Sequence, residues 1–410
     1  MKFGLSNIRA LLSSVGNPQD TFPSIHVAGT NGKGSTCSFL ASIFMEAGYR
    51  TGLYTSPHLI RFTERIRING REISERRLVR YLESLRPAVE SCRATFFEAT
   101  TCIAFQYFAD EGVDIAVIET GLGGRLDSTN VISPLASVIT NIALDHTREL
   151  GSTLSAIARE KGGIIKPGIP VVIGDMTAAA ERRIRSIARR ERAPVARAAD
   201  TARIVIEPEG RVSFVTGQIR SGPVRLGLSG AHQVVNAGLA VACLSVLLRR
   251  KTFKSRFRRI QSRSLRDGLE NVCRNTRLTG RLSVAGRGRR VILDVAHNPA
   301  GMRATIESLI RAGQGSLTAV FGVMKDKEMP AMLQEMAKLA RVILAVRPAT
   351  VRAMSPEKIS RTAHRLGIPS LKAGSVATGL RIALRQRGTI LVTGSHYVVG
   401  EALEYLKKKA

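Results

Sequence analysis

The chain carries one lysine inside a glycine-rich stretch, Gly29-Thr-Asn-Gly-Lys-Gly-Ser35, between an apolar run and a helix-like run. Glycines let backbone N–H groups turn inward toward an anion, a helix N-terminus adds the positive end of its dipole, and Lys33 adds a full charge. The stretch therefore predicts a phosphate cradle. It departs from the usual nucleotide loop because Gly34 stands between the lysine and Ser35. On this stretch alone, an ordinary glycine-rich turn remains the alternative.

Three residues outside this loop have side chains suited to metal-assisted phosphoryl transfer. Glu119 ends the apolar run Ile115–Ile118 and precedes a glycine-rich turn, a position that faces a carboxylate toward a ligand. His146 follows another apolar run, and imidazole binds a divalent metal when its second nitrogen is held. Lys161 ends a predicted helix, where a partly desolvated lysine can stay neutral and be modified. The ordinary alternatives are a solvated strand end, a hydrogen-bonded histidine and a lysine favoured by a helix C-terminus.

Strand-like runs alternate with helix-like segments in the first half, and this order predicts a parallel, doubly wound sheet. The predicted strands are Ile25–Ala28, Asp114–Glu119, Ala136–Asn141 and Val171–Gly174. The predicted helices are Ser35–Ala47, Glu75–Val89, Glu98–Asp110, Thr153–Lys161 and Thr177–Arg190. Ligands of such sheets bind at the carboxyl ends of the strands, where the candidate residues fall. Residues 202–230 read as short strands with glycine turns, an antiparallel patch.

A second α/β set begins near Arg281, after the polar stretch Arg274–Thr279, which we interpret as a linker. Its predicted strands are Arg290–Val295, Leu317–Gly322, Val342–Val346 and Thr389–Thr393. Its predicted helices are Ala300–Ala312, Pro330–Ala340, Ser355–Leu366 and Val376–Arg385. We therefore predict an α/β protein with two domains. A P-loop-type, doubly wound, mostly parallel sheet domain spans 1–275, and a smaller Rossmann-like α/β domain spans 281–410.

Length and composition fit a two-domain globular protein, because 410 residues exceed what a single core usually supports. No continuous run of about 18 apolar residues is present, so we expect no membrane partner. The N-terminus lacks an export signal, and the five cysteines show no CxxC spacing. These features predict a cytoplasmic protein with reduced thiols.

The formal net charge of +30 is unusual and has three interpretations. It could attract nucleic acid, attract small polyanions such as ATP and polycarboxylates, or follow from an arginine-rich codon usage. The densest basic runs are Arg182–Arg192 and Arg249–Arg266. Aromatic residues make up 5% with no Trp, so stacking platforms for single strands are scarce. We expect no dedicated nucleic acid partner.

Ten segments together resemble folylpolyglutamate synthase and dihydrofolate synthase, members of the Mur ligase superfamily. They follow the family order over nearly the whole chain. They are His26–Ser35, Tyr54–Leu59, Thr95–Thr100, Glu119–Asn130, Thr140–Thr147, Arg159–Gly168, His232–Ala237, Gly280–Leu282, Asp294–Pro299 and Gly394–Gly400. The chain differs from the family pattern at Val295, which follows Asp294 in place of Gly, and before Gly280, where Trp-Pro is absent. It also begins at what resembles the second helix of the family.

The resemblance implies an ATP-dependent ligase that adds L-glutamate to a folate carboxylate through an acyl phosphate. It leaves open whether the enzyme also makes dihydrofolate from dihydropteroate. It implies ATP, two Mg²⁺ sites, a lysine carbamate formed from CO₂, and optionally K⁺. We expect a monomer. The alternatives are a peptidoglycan-type Mur ligase, against which the segment after Tyr54 argues, and a weakened relative that binds nucleotide or polyanions without ligation.

The resemblance also implies site residues. The catalytic set is Lys33, Glu119, His146 and Lys161. The ATP contacts are Gly29, Thr30, Asn31, Gly32, Lys33, Gly34, Ser35, Thr36, Asn236, Arg281, Asp294 and His297. The metal ligands are Ser56, Glu119, His146 and Lys161, the last as its carbamate. The folate and glutamate contacts are Thr55, Pro57, His58, Phe96, Phe97, Ser395 and His396.

Overall fold

A computed structural model describes residues 4–286 and 291–409 of the chain. It divides into two compact units. Unit 1 consists of Met1–Pro57, Phe62–Gly227 and Gln233–Leu278, and unit 2 of His58–Arg61, Leu228–His232 and Thr279–Ala410. The change from unit 1 to unit 2 after Leu278 falls in the predicted linker. Two short segments, 58–61 and 228–232, join unit 2, although the sequence assigned both to the first domain.

Unit 1 contains an α/β sheet and a small antiparallel ribbon. Its strands are β1 Ser24–Ala28, β2 Thr51–Tyr54, β3 Ile66–Ile68, β4 Arg71–Glu72, β5 Ile115–Glu119, β6 Ala136–Ile139, β7 Val171–Ile173, β8 Val195–Arg197, β9 Arg203–Ile206 and β10 Val212–Val215. Its helices are α1 Ser6–Ser14, α2 Lys33–Glu46, α3 Glu75–Cys92, α4 Phe96–Asp110, α5 Thr147–Leu150, α6 Leu154–Gly162, α7 Ala178–Arg190, α8 Ala198–Thr201, α9 Ala231–Leu248, α10 Lys251–Arg256, α11 Ser262–Glu270 and α12 Val272–Thr276. Short 3₁₀ turns span Pro18–Asp20, Phe62–Arg65, Ser128–Val131 and Pro208–Gly210.

The order of strands in the main sheet brings the candidate loops together. The sheet runs β4-β3-β2-β5-β1-β6-β7-β8, with β1 between β5 and β6 and parallel to both. Residues of β1, β5 and β6 are all buried, as expected for strands covered on both faces. Because parallel strands end at one edge, the loops after Ala28, Glu119 and Ile139 lie side by side.

Helices cover the sheet because their capping and apolar patterns are locally consistent. Helix α4 begins with a capping box, in which the Thr95 hydroxyl accepts the Glu98 N–H and the Glu98 carboxylate accepts the Thr95 N–H. Its apolar side packs with α1 and β2 in one buried cluster that includes Phe105 and Phe108. A second cluster, centred on Ile157, Ile173 and Ile184, packs α6 and α7 on the sheet.

Helix α9 is long and apolar, and the sequence analysis did not predict it. Its 18 residues have a mean hydropathy of 1.7, which is enough by length and composition to cross a membrane. However, 72% of these residues are buried inside the structure, as in the core helix of a globular domain. Apolar residues lie on nearly all sides of α9, so it lacks the one-sided pattern by which helices are recognised.

Unit 2 is a second, smaller α/β sheet. Its strands are β11 Ser283–Ala285, β12 Val291–Leu293, β13 Leu317–Phe321, β14 Ala340–Val346, β15 Ser370–Gly374 and β16 Ile390–Thr393. Its helices are α13 Pro299–Arg311, α14 Met329–Met336, α15 Pro356–Arg365, α16 Val376–Arg385 and α17 His396–Lys409. The order is β11-β12-β16-β13-β14-β15, antiparallel only at β11 among the described strands.

Strands β12, β13 and β16 at the centre of the unit 2 sheet are buried on both faces. Along β13, Leu317, Ala319 and Phe321 belong to one apolar cluster and Val320 belongs to the other. This alternation is the two-residue period of a strand with helices on both sides. The predicted fold class, a doubly wound parallel sheet domain with a smaller α/β domain, is confirmed.

Several predicted element boundaries were wrong by a few residues. The predicted helix Pro330–Ala340 ends at Met336, because the chain turns there and Ala340 begins β14. Part of the predicted linker, 274–276, is helical in α12. The predicted antiparallel patch is the β9–β10 ribbon. Arg290, predicted to begin a strand, lies outside the described residues.

Candidate active site

The glycine-rich loop joins β1 to α2 as a tight turn. Gly32 precedes the first turn of α2 with a φ of 84°, in the left-handed region that favours glycine. The Thr36 N–H donates to the Gly32 carbonyl at 2.9 Å, so the helix begins directly at the loop. The N–H groups of the first helical turn have no partner within an α-helix, which makes this end of α2 suitable for phosphate.

Hydrogen bonds from the end of β6 fix the shape of this loop. The Thr30 and Asn31 N–H groups donate to the carbonyl and side-chain oxygens of Asn141, both at 3.0 Å. The Thr140 hydroxyl donates to the Asn31 carbonyl at 2.6 Å. The loop is therefore held from the neighbouring strand rather than only by its own turn, and its N–H directions are set before any anion binds.

Two glycines of the loop stand where any side chain would clash with a neighbouring residue. A Cβ at Gly29 would come within 1.8 Å of the Thr140 hydroxyl oxygen. A Cβ at Gly32 would come within 2.3 Å of the Asn236 side-chain oxygen. Asn236 lies on α9, and its amide also donates to Gln233 at 3.0 Å. The structure thus brings Asn236, a predicted ATP contact, against the predicted phosphate loop.

We expect Gly32→Ala to weaken nucleotide binding rather than only destabilise the fold. The left-handed backbone should cost about 1–2 kcal/mol with any Cβ. The new methyl should also displace Asn236, raising KM for ATP about 10-fold, the equivalent of about 1.4 kcal/mol. Gly168→Ala is the matched control, because Gly168 has a φ of 68° and no atom within 4 Å of the added Cβ. Equal KM values for the two variants in a coupled ADP assay would contradict this role of Gly32.

Two hydroxyls at the start of α2 fit a phosphate or metal ligand. Ser35 and Thr36 are buried, and neither hydroxyl oxygen has a hydrogen-bond partner within the described part of the chain. The same holds for the Thr120 hydroxyl, directly after Glu119. A buried hydroxyl without a partner costs free energy, which a bound ligand would recover. Although Gly34 interrupts the usual pattern, a hydroxyl is still available in the first turn.

Two lysines converge on one carbonyl oxygen of the loop. Lys33 Nζ donates to the Gly29 carbonyl at 3.1 Å and to the Thr30 carbonyl at 3.4 Å. Lys161 Nζ, from α6, donates to the same Gly29 carbonyl at 2.8 Å. Burial, and then the charge of Lys33, lowers the pKa of Lys161 to about 7. A substantial fraction of Lys161 is therefore unprotonated near neutral pH, unlike an ordinary helix-end lysine.

Glu119 is buried at the carboxyl end of β5. Its Oε2 atom accepts the Ser56 N–H at 3.1 Å, which joins two of the predicted metal ligands. The next residue, Thr120, donates its N–H to the Val27 carbonyl at 2.9 Å, so β5 stays paired with β1 up to the loop. This carboxylate is held rigidly beside the phosphate loop, as a metal ligand requires.

His146 lies in the loop after β6 and precedes α5. Its backbone is left-handed, with a φ of 50°, and its N–H donates to Asp145 Oδ1 at 2.9 Å. Its ring Nε2 lies 4.0 Å from Asp145 Oδ1, and its Nδ1 lies 3.9 Å from Glu149 Oε2. The side chain is 32% exposed. Asp145, at the same strand end as His146, also raises the pKa of Lys161 by its charge.

The donor set fits a divalent metal shared with a nucleotide rather than a metal held by protein alone. Among residues 4–286 and 291–409, there is no group of three or more His, Cys, Asp and Glu side chains that could hold a metal. Mg²⁺ is typically bound by one or two carboxylates, waters and substrate phosphates. Glu119, with hydroxyls nearby, matches that requirement.

A buried network that sequence reasoning missed supports the loop after Glu119. His26 Nε2 lies 2.8 Å from the Thr129 hydroxyl, which donates to Asp127 Oδ1 at 2.5 Å. The other oxygen of Asp127 accepts the Leu122 N–H at 2.8 Å. Because the Thr129 proton goes to Asp127, His26 must donate from Nε2. The network links β1 to the glycine-rich turn and thereby positions both loops.

His26 should make the fold sensitive to acid. Burial, and then the charge of Lys166, lowers the pKa of His26 to about 3. Between about pH 6 and 3, His26 binds a proton in the unfolded chain but not in the folded chain. This one group should therefore lower the free energy of unfolding by about 1.4 kcal/mol per pH unit as pH drops. The free energy of unfolding of His26→Gln, measured with urea from pH 7 to 4, should fall less steeply with pH than that of wild type. His364→Gln, at an exposed site, is the control and should keep the wild-type slope.

Phe96, a predicted folate contact, belongs to an aromatic surface in unit 1. The rings of Phe62 and Phe96 lie 5.5 Å apart, with the Arg65 guanidinium 5.8 and 5.6 Å from their centres. Phe96 is 63% exposed. Phe97 points inward, 6.2 Å from the Tyr54 ring, and a Cβ at Gly121 would come within 2.4 Å of it. Thr55 and Pro57 also belong to unit 1, whereas His58 belongs to unit 2.

A cavity of about 200 Å³ adjoins the turn after Glu119. Leu122, Arg125, Glu149 and Glu160 contribute to its lining. Arg125 is paired with Glu160 at 3.1 Å, which fixes one wall. None of these four residues was singled out from the sequence, because only the folded turn brings them around one space.

The predicted residues of unit 2 cluster at the carboxyl end of its sheet. Both oxygens of Asp294 are occupied: Oδ2 accepts the Leu282 N–H, and Oδ1 accepts the Ala296 N–H and the Thr305 hydroxyl, at 2.8–3.0 Å. Asp294 therefore fixes the backbone next to Arg281 and His297. The His297 and His396 rings lie 5.4 Å apart. The Ser395 hydroxyl accepts the Val398 N–H at 3.2 Å, which caps α17.

Two family models match the chain over these same regions. One, described as the Mur ligase middle domain, matches residues 27–244, and another, described as the Mur ligase glutamate ligase domain, matches 280–396. This chain belongs to the Mur ligase family. A Mur ligase relative from Bacillus subtilis, named dihydrofolate synthase/folylpolyglutamate synthase, is 38% identical over 84% of this chain and 80% of its own length. The chain spans about half (48%) of a Haloferax volcanii relative, a probable bifunctional folylpolyglutamate synthase/dihydropteroate synthase, at 34% identity over 98% of this chain.

Solved Mur ligase structures agree with the fold. Escherichia coli FolC in complex with DHPP and ADP superposes with a TM-score of 0.89 at 28% identity, covering 100% of this chain and 94% of that one. The bifunctional folylpolyglutamate synthase/dihydrofolate synthase of Yersinia pestis, complexed with AMPPNP and Mn ion, has a TM-score of 0.85 at 29% identity, covering 99% and 94%. Within the Mur ligases, the chain is thus a member of the folylpolyglutamate synthase/dihydrofolate synthase group.

Proposed function

We propose that this enzyme joins L-glutamate to a folate carboxylate in an ATP-dependent reaction. The acceptor is tetrahydrofolate or its polyglutamates, and dihydropteroate is the second acceptor to be tested. The observation that carries the proposal is the phosphate loop itself. Lys33 and Lys161 meet at the Gly29 carbonyl, unpaired Ser35 and Thr36 hydroxyls lie in the next turn, and a buried Glu119 follows the neighbouring strand. The nucleotide and substrate bound in the FolC and Yersinia pestis structures support this assignment.

The chemistry divides into two balanced steps. A folate carboxylate oxygen bonds to the γ-phosphorus of ATP, and the bond to the β-phosphate oxygen breaks, which releases ADP. The amine of glutamate then bonds to the acyl carbon, inorganic phosphate leaves with the bonding electrons, and the amine gives up a proton to solvent. A carboxylate is a poor acyl donor in water, so the phosphate provides the leaving group. No protein nucleophile is needed.

The chain's own residues act by positioning and by balancing charge. Lys33 can leave the loop carbonyls for the β- and γ-phosphates, where its charge offsets the negative charge that develops. The N–H groups at the start of α2 bind phosphate oxygens, and Asn236 lies beside the loop tip. In unit 2, Asp294 positions Arg281 and His297, the predicted phosphate and nucleotide contacts.

A divalent metal fits the residues around Glu119. We propose that Glu119 and Ser56, with the hydroxyl of Ser35 or Thr36, hold one ion together with the nucleotide phosphates. His146 and Lys161, again with Glu119, would hold a second. When bound, such ions withdraw charge from the phosphates and align the reacting oxygens. Ser56 is already fixed against Glu119 by its N–H.

We further propose that Lys161 binds CO₂ as a carbamate, which converts an amine into an oxygen ligand. The low pKa of Lys161 supports this, because only the unprotonated amine bonds to CO₂. A K⁺ ion completes the proposed set, and replacing K⁺ by Na⁺ in the assay tests it. The proposed state is a cytoplasmic monomer, which sedimentation at working concentration tests.

The deciding experiment measures ADP release with ATP, Mg²⁺ and glutamate, using tetrahydrofolate, dihydropteroate or no acceptor. Release with tetrahydrofolate alone indicates a folylpolyglutamate synthase, and release with both acceptors indicates a bifunctional enzyme. If the folded protein binds ATP but releases ADP with neither acceptor, the ligase proposal fails in favour of a relative that only binds nucleotide.

A further inference from the structure

A segment on the surface of unit 1 carries positive charge that the ligase reaction does not use. Residues Arg249–Arg266, here called the basic segment, contain nine Lys and Arg and no Asp or Glu. All nine basic residues are exposed. They are Arg249, Arg250, Lys251, Lys254, Arg256, Arg258, Arg259, Arg263 and Arg266.

The basic segment is rigid because its apolar residues are buried beneath it. The ring centres of Phe253 and Phe257 lie 4.5 Å apart, and the ring centres of Phe257 and Phe44 of α2 lie 5.6 Å apart. The Ser42 hydroxyl of α2 donates to the Gly268 carbonyl at 2.6 Å. Gly268 lies on α11, the helix that carries Arg263 and Arg266. A Cβ at Gly268 would come within 2.5 Å of the Ile43 Cα, so the backbones of α11 and α2 are in close contact. The cations are therefore held outward on a fixed support rather than on a flexible tail.

These charges are largely uncompensated. Within the described residues, only Arg263 and Arg266 pair with a carboxylate, and both share Asp267, at 3.5 and 3.3 Å. The other basic run of the chain, Arg182–Arg192, differs because acidic residues lie among and beside its arginines, and two of its six arginines pair with them. Arg185 pairs with Glu181 at 2.7 Å, and Arg190 pairs with Glu191 at 3.1 Å. Like charges kept together without counterions cost free energy, which a polyanion would recover.

The basic segment lies far from the nucleotide loop. It packs on the C-terminal half of α2, through Ile43 and Phe44, while the loop precedes Lys33 at the N-terminus. Fourteen residues of helix separate the two ends by about 20 Å at 1.5 Å per residue. A partner on this surface would therefore leave the nucleotide site open.

The side chains fit the backbone of a double-stranded nucleic acid. Seven of the nine cations are arginines, whose planar guanidinium group matches phosphate oxygens. The large apolar residues of the segment, Phe253, Phe257, Ile260 and Leu265, are all buried. None is exposed to stack on an unpaired base or to enter a lipid layer. Contacts to phosphates alone give binding that is independent of sequence and sensitive to salt.

We propose that the basic segment binds the phosphate backbone of duplex RNA or DNA, holding the enzyme on a nucleic acid while the active site remains free. This differs from the expectation drawn from composition alone, in which the scarcity of aromatic residues argued against single-strand binding. Duplex binding needs no exposed aromatic side chain. The structure adds that all nine cations are exposed on one fixed support, whereas Glu181 and Glu191 lie beside the arginines of the α7 run and pair with two of them.

The test compares two variants that lose the same charge at different places. One carries Arg249→Gln, Lys251→Gln, Lys254→Gln and Arg258→Gln in the basic segment. The other carries Arg182→Gln, Arg183→Gln, Arg189→Gln and Arg190→Gln on α7. Binding to a fluorescent duplex RNA, a duplex DNA and phosphatidylglycerol vesicles is measured between about 50 and 200 mM KCl, the range over which phosphate contacts weaken strongly. Ligase turnover is measured for each protein.

We expect wild type to bind a duplex and lose about 100-fold in affinity across this salt range, the effect of about four phosphate contacts. The basic-segment variant, which loses up to four phosphate contacts, should bind at least about 10-fold more weakly at low salt. Its log–log salt slope should fall by about 0.9 per lost contact. The α7 variant should bind nearly as wild type, and both should keep wild-type turnover. Equal losses in the two variants, or binding to vesicles without binding to a duplex, would overturn the proposal while leaving the ligase function intact.

Discussion

Replacing Glu119 with Gln is expected to lower kcat for ligation at least about 100-fold, the scale of removing one preorganised electrostatic group from an active site. Glutamine keeps the size of the side chain and can still accept the Ser56 N–H, now 3.1 Å from Glu119 Oε2. It cannot supply the negative charge that a divalent ion between protein and phosphates requires. Steady-state ADP release at saturating ATP, folate and glutamate measures the effect, and Mg²⁺ titration should show a higher half-saturating concentration.

The control for this variant is Glu111→Gln, which removes a carboxylate from a surface cluster with Arg50 and Arg77. Exposed ion pairs contribute little, so its turnover should stay within about 2-fold of wild type. Thermal unfolding of both variants separates loss of chemistry from loss of fold. Wild-type turnover in a folded Glu119→Gln protein would remove Glu119 from the proposed metal site.

Sequence predicts those parts of the site whose residues all lie within one short segment of the chain. The turn from β1 to α2 is visible because an apolar run, glycines and a helical pattern follow one another within about twenty residues. Glu119 is visible for the same reason, as a carboxylate that ends an apolar run. Each such motif carries its own geometry, and the structure places these two loops at one edge of the sheet, as a parallel sheet requires.

The resemblance names Lys161 and Asn236 as site residues, but the contacts they make depend on the order of the strands and are not readable from local sequence patterns. Lys161 reaches the Gly29 carbonyl only because β6, which precedes α6, lies next to β1. The contact between Asn236 and Gly32 requires α9 to be buried against the loop. Neither residue spacing nor composition indicates that these residues are in contact. The His26 network was missed because a single histidine inside a strand is indistinguishable from an ordinary core residue until Thr129 and Asp127 are beside it.

Lys161→Ala is expected to lose at least about 100-fold in turnover, the scale of removing one electrostatic group from an active site, and added acetate or propionate should restore part of it. The proposed role of Lys161 is to carry a carbamate, whose oxygen and charge a small carboxylate can replace in the space left by the side chain. Burial, and then the Lys33 charge, lowers the pKa of Lys161 to about 7, which favours the amine form that bonds to CO₂. Initial rates at increasing carboxylate concentration measure the rescue. Lys33→Ala is the matched control, because its proposed partner is a phosphate, and carboxylates should not restore its turnover.

A readout other than activity separates this role from a purely structural one. Under ¹³C-labelled bicarbonate, wild type should show a carbamate carbonyl resonance that is absent in Lys161→Ala and present in Lys33→Ala. If Lys161 only braces the loop through its 2.8 Å hydrogen bond to Gly29, carboxylates will not restore turnover and the resonance will be missing from wild type as well. In that case Lys161→Arg, which keeps a donor but cannot form the carbamate, should retain activity. A carbamate requires the opposite, because arginine stays protonated at any working pH and offers no oxygen to a metal.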